Sequence, residues 1–235
     1  METILHKTHT RGHVNHGWLD TWHTFSFADY YNTDRIHFGK LRVINDDTIL
    51  GGGGFGTHPH DNMEIITIVL DGALEHKDSM GNAGVINAGE IQVMSAGTGI
   101  RHSEFNHSKT EPVQLLQIWV FPREDNVEPR YDQLTLQPQE RKNKLQQIVS
   151  PNKDDEGLWI HQDAWFYRGY FEAEQEVKYQ INQLNNGAYI FIIDGTLKIG
   201  NNTLNKRDGM GLSDCSEFSI KVVNPAEVLI MEIPV

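Results

Sequence analysis

The sequence predicts an all-β protein made of two related β-domains, each a barrel or sandwich. Three observations carry that prediction: short apolar or alternating runs recur along the chain, Gly, Asn and Asp turns separate them, and a segment of the first half is echoed in the second. The runs fall at 41–44, 63–70, 90–94, 113–121, 188–193, 196–199, 218–223 and 228–233. Turns such as Asp71-Gly72, Gly81-Asn82, Asp194-Gly195 and Gly200-Asn201-Asn202 punctuate them, the pattern of sandwiches and barrels. Only 129–134 and 163–167 read as short turns of helix. The echo runs from Ile66-Thr-Ile-Val-Leu-Asp-Gly-Ala-Leu74 to Tyr189-Ile-Phe-Ile-Ile-Asp-Gly-Thr-Leu197. With the linker in the polar stretch 137–144, the expected domains are 1–138 and 139–235. No histidine follows His161, so only the first domain can hold a histidine-rich site.

Composition bounds the function. The 235 residues, 38% hydrophobic and 22% charged, describe an ordinary globular protein long enough to bury a substantial core. A net charge of −12 argues against direct nucleic-acid binding, which needs a basic patch. The single cysteine, Cys215, rules out an internal disulfide and fits a reducing compartment. There is no apolar run of the ~18 residues a membrane span needs, and the N-terminus shows no signal peptide. The expected location is therefore cytoplasmic.

Two pairs of polar residues point to chemistry: His58-Pro59-His60 and His102-Ser103-Glu104. On a strand, residues two apart project from one face, so each pair can aim both side chains at one point. Three imidazoles and a carboxylate form a mixed nitrogen/oxygen donor set that suits a redox-capable first-row metal. Gly51-Gly-Gly-Gly-Phe-Gly56 before the first pair allows close backbone approach, and Pro59 places that pair at a strand start or edge. Gly97-Thr-Gly99 precedes the second pair. Glu64 is a further acid in reach, because His58, His60, Asn62 and Glu64 share a face while the strand stays regular. Strand parity leaves the choice between Glu64 and Glu104 open.

These residues also resemble a known family. Gly52, His58-x-His60, Glu64 and Gly72 are similar to the first cupin motif, and Gly97-x-Gly99-x-x-His102-x-x-x-Asn106 to the second. More specifically, Gly54-Phe-Gly-Thr-His-Pro-His60, His76-Lys-Asp-Ser-Met-Gly-Asn82, Met94-Ser-Ala-Gly-Thr-Gly-Ile-Arg-His-Ser-Glu104 and Gln117-Ile-Trp-Val-Phe-Pro122 resemble the pirins. Arg11-Gly-His13, Gly17-Trp-Leu19, His23-Thr-Phe-Ser-Phe27 and Arg42-Val-Ile-Asn-Asp46 resemble their bacterial branch, the pirin-like quercetin 2,3-dioxygenases. The likeness is dense over 10–122 and looser beyond, through Arg130-Tyr131 and His161-Gln162-Asp163. One departure is Asn62, where many pirins carry Gly.

The resemblance implies a bicupin, two double-stranded β-helix (jelly-roll) barrels packed together, with metal in the first alone. It implies His58, His60, His102 and Glu104 as ligands, Glu104 also as catalytic base, and Glu64 as a hydrogen-bonded neighbour. The general cupin spacing nominates Glu64 instead. The implied metal is Fe(II), though this donor set also takes Mn, Co, Ni, Cu or Zn. The implied reaction is flavonol 2,3-cleavage with O2 and release of carbon monoxide, with a flavonol or another enolic small molecule as substrate. The alternative is a non-catalytic, iron-dependent metal-sensing regulator acting through a protein partner.

Other residues read as structural. His6, His9, His13, His16 and His23 fit no common face and are expected on the surface or in packing. His76 and His107 read as polar strand residues, with lining of the pocket as the alternative for His76. Trp18, Trp22, Phe25 and Phe27 are expected to tie the N-terminal segment to a barrel, Arg101 to point away from His102, and Cys215 to be a buried small hydrophobe.

Overall fold

The computed structural model describes residues 1–235: twenty strands and two single-turn 3₁₀ segments, Thr8–Thr10 and Pro138–Glu140. None of its helices is long and apolar enough to cross a membrane. Two cupin barrels make up the fold. The N-terminal barrel has a seven-stranded sheet, in the order Arg130–Thr135, Glu90–Ser95, Glu64–Asp71, Val113–Val120, Leu41–Ile49, Leu19–His23, Gly12–Asn15. Facing it is a four-stranded sheet of Gly54–His60, Ile100–Asn106, Ala73–Asp78 and Ala83–Asn87. Nine strands form the C-terminal barrel, in which the long strands Asn186–Ile199 and Glu217–Pro234 pair with each other.

Both helical expectations are corrected. Residues 130–135 form a strand beside Glu90–Ser95, and 165–171 form a strand between Glu217–Pro234 and Gln146–Ser150. The second segment is aromatic-rich and buries Phe166 and Phe171, so pairing and packing override a weak local signal. The chain's first strand also crosses the expected division, since Glu2–His6 pairs antiparallel with Gly209–Ser213 of the C-terminal sheet. We propose the boundary near residue 138 for the remainder of the chain.

The largest core cluster, 24 residues, draws on both halves, from Phe25 and Leu41 to Phe191 and Ile233. The barrels are thus joined through their main hydrophobic core, and the apolar area removed from water is what holds them together. The internal repeat shows in the backbone. Gly72 and Gly195 turn at φ 75° and 84°, and a Cβ on either would meet the carbonyl oxygen of Pro112 at 2.8 Å or of Pro225 at 2.1 Å. Each Asp-Gly bend is therefore seated on a Pro carbonyl, Pro112 just before the strand Val113–Val120 and Pro225 within Glu217–Pro234, where only glycine fits.

The interiors differ. In the C-terminal barrel, 16 buried residues form one apolar cluster. The N-terminal interior has two small apolar clusters, one including Val69, Leu74 and Leu115, the other Ile65, Met94 and Ile100. Strand alternation places Thr67 between Ile65 and Val69, His76 beyond Leu74, and His102 and Glu104 beyond Ile100. All four are buried, so a polar layer lies between the two apolar ends. That layer holds the candidate site.

Candidate metal centre

Strand Gly54–His60 is an edge of the four-stranded sheet, as Pro59 requires, and pairs with Ile100–Asn106. His102 lies opposite His58. A bulge follows and sets Glu104 opposite Phe55. On its other side Ile100–Asn106 pairs with Ala73–Asp78, which puts His102 opposite Asp78 and Glu104 opposite His76.

This pairing gathers the imidazoles. His58, His60 and His102 bring one ring nitrogen each within 4.8 Å of the other two. Their ring centres are 4.4 Å apart for His58–His102 and 4.9 Å for His60–His102 and His58–His60. His58 Nδ1 is 2.8 Å from the Gly56 carbonyl, and donation there leaves Nε2 free. Glu104 Oε2 accepts from Gln117 Nε2 at 2.8 Å. Both ring nitrogens of His102 and Oε1 of Glu104 are buried without a partner. Such orphans are costly, and a shared cation would satisfy the Glu104 oxygen and whichever His102 nitrogen carries no hydrogen.

The electrostatics favour neutral rings at His60 and His102. Burial, reinforced by His58, lowers His60 to about 4. Burial, reinforced by His58, His60 and His76, lowers His102 to about 2. Ligation needs the unprotonated ring, so these two are ready to bind a metal at neutral pH without losing a proton. Burial pushes Glu104 up to about 7. The residues therefore fit a divalent transition metal in both donor type and unmet bonding capacity.

Glu64 stands apart from this cluster. The strand ends at His60, and Asn62 sits at φ 44°, where its amide donates to Gly97 O at 2.9 Å. This left-handed turn accounts for a Gly preference there and for the tolerance of Asn. It also breaks the parity that would have aligned Glu64 with the histidines. Glu64 opens a strand of the other sheet, accepts from Ser95 Oγ at 2.7 Å, and is pushed up to about 7 by burial.

Beside the cluster lies a cavity of about 280 Å³ bordered by His58, His60 and Glu104. Its apolar walls include Phe27, Phe55 and Trp119, and Trp119 meets His60 edge-on at 4.9 Å. Asn45, Asp47 and Gln117 supply polar atoms, and burial pushes Asp47 up to about 7. Phe27, His16 and His23 therefore line the cavity as well as supporting the N-terminal segment. Phe25 is buried in the shared core, while Trp22 stacks on His13. Arg101 is exposed, and Cys215 is half-buried against the C-terminal core.

The sequence reading missed several of these residues. Asn45 and Asp47 alternate toward the interior of an otherwise apolar strand, a visible signal. His76 is fully buried, and His76-Lys77-Asp78 has the same two-apart form as the two leading pairs.

Comparison with known proteins agrees with the geometry. A family profile described as Pirin matches residues 5–120, and one described as Quercetinase C-terminal cupin domain matches 147–233. A protein of Escherichia coli K12 named quercetin 2,3-dioxygenase is 46% identical over 98% of each chain. The structure of the E. coli bacterial pirin YhhW in complex with nickel(II) superposes with a TM-score of 0.94 at 44% identity, covering 99% of each chain. A quercetin 2,3-dioxygenase of Acinetobacter baumannii, at 18% identity, shares the fold with a TM-score of 0.78 and covers 100% of this chain and 86% of that one.

Proposed function

Because this chain belongs to the pirin family, we propose that it is a metal-dependent flavonol 2,3-dioxygenase. It would open the heterocycle of a quercetin-like substrate with O2 and release carbon monoxide. One observation carries the reading: three converging imidazoles and a free Glu104 oxygen sit together beside a cavity with aromatic walls.

His58, His60, His102 and Glu104 are the proposed ligands of one divalent metal, Fe(II) by preference, with Mn, Co, Ni, Cu and Zn compatible with the same donors. Bound there, the metal would supply Lewis acidity toward the substrate's enol oxygen and redox capacity toward O2. The protein's own residues do the rest. Glu104, as a weakly held ligand through Oε1, would take the proton of the substrate 3-hydroxyl on that oxygen, while Gln117 holds Oε2. Phe27, Phe55 and Trp119 flank the planar substrate and limit water access.

The test is oxygen uptake with quercetin by metal-free protein, before and after Fe(II) reconstitution under anaerobic conditions. Uptake that depends on added metal supports the reading. One bound metal with no uptake would favour a metal-sensing protein that acts through a partner, and no bound metal would end both readings.

A further inference from the structure

A second donor triad lies deeper in the same barrel. His76, His102 and Glu104 each place one ligand-type atom within 4.8 Å of the other two, and all three are buried. His76 is fully enclosed. Its Nε2 lies 3.4 Å from Asp78 Oδ2, and Tyr131 stacks on its ring at 4.8 Å. Asp78 is in turn fixed by the Met80 and Asn82 amides and by Asn82 Nδ2, at 2.8–3.0 Å. An imidazole whose outer nitrogen faces a held carboxylate is arranged as metal-ligating histidines are.

The inner atoms of the triad lack partners. His76 Nδ1, both nitrogens of His102 and Glu104 Oε1 are buried and unpaired. Water has two lone pairs and two hydrogens to offer three convergent acceptors, whereas a cation accepts from all three. We propose that His76, His102 and Glu104 form an inner metal position, in which His76 replaces His58 and His60 of the outer ligand set as the partner of His102 and Glu104. The two share His102 and Glu104, so a single ion occupies one or the other. Of the inner triad only Glu104 borders the cavity, so an ion held there sits behind it, away from substrate. This inference rests on the metal reading above and adds His76 to it.

The test uses the full chain and the metal alone. His58→Ala/His60→Ala removes the outer pair and leaves the inner triad. Titrated with Co(II), the unaltered protein should bind one ion. The double variant should still bind one, about 100-fold more weakly or worse, and adding His76→Asn should abolish that residual binding. Circular dichroism confirms that each variant is folded. Independently, in the ¹⁵N-histidine-labelled double variant, Zn(II) should shift the His76 Nδ1 resonance. If the unaltered protein binds and the double variant does not, or if the Nδ1 resonance stays put, the inner position is wrong and the outer site stands. If the unaltered protein binds nothing, both fall.

Discussion

His102 stands directly opposite His58 across two antiparallel strands, with ring centres 4.4 Å apart. Close rings can coexist there because His102 stays neutral. The cross-strand register, rather than the sequence spacing alone, converts two separate polar pairs into one donor set.

His102 is the one imidazole common to both positions, so His102→Ala should be the most damaging single histidine change to metal binding. After dialysis against a chelator, its metal content should fall to background. His58→Ala and His60→Ala should each retain weaker binding, with a loss larger than the ~10–100-fold that removing a hydrogen-bond partner of a ligand costs. Metal content in His102→Ala equal to that of the unaltered protein would refute the ligand assignment.

Gln117 donates to Glu104 Oε2 and touches the cavity. Replacing it by Leu frees the carboxylate to rotate. Turnover should fall by about 10–100-fold, while far-UV circular dichroism is unchanged. Steady-state kinetics of Q117L checks this, and an unaltered kcat would show that Gln117 does not position Glu104.

Glu64 should govern stability rather than catalysis. Its folded pKa is raised to about 7 by burial, so the folded state holds the proton more tightly than the unfolded chain. Its favourable contribution is complete below the unfolded value near 4.5 and is lost as pH rises through 7. Glu64→Gln keeps an acceptor for Ser95 and removes the ionisation penalty. The variant should match the unaltered protein near pH 4.5 and exceed it by up to about 3 kcal/mol at pH 8, read from urea unfolding of the metal-free proteins. A stability difference independent of pH would contradict this.

Gly195 tests the C-terminal barrel as a scaffold. At φ 84°, with the Pro225 carbonyl 2.1 Å from an added Cβ, Gly195→Ala should cost more than about 1 kcal/mol. Metal affinity of the folded fraction should be unchanged. A fully tolerated alanine would mean the Asp-Gly bend is not the constraint its geometry describes.

Much of this was legible beforehand. Alternation and turn residues gave the all-β class, and the echo of 66–74 in 189–197 gave the two barrels. The two-apart pairs singled out His58, His60, His102 and Glu104. The remainder depended on contacts that a linear pattern does not carry. Parity could not separate Glu64 from Glu104, because the left-handed turn at Asn62 ends one strand and begins another in the facing sheet. His76 looked like an ordinary polar strand residue until strand pairing set it opposite Glu104. The segment 165–171 looked weakly helical until it was seen paired on both sides.

The most direct test of the central claim is gas-phase detection of carbon monoxide from quercetin under O2. Fe(II)-reconstituted protein should release one carbon monoxide per O2 consumed, and Glu104→Gln should lose most of that release while still binding metal. Oxygen consumption without carbon monoxide, or release undiminished in Glu104→Gln, would contradict the account.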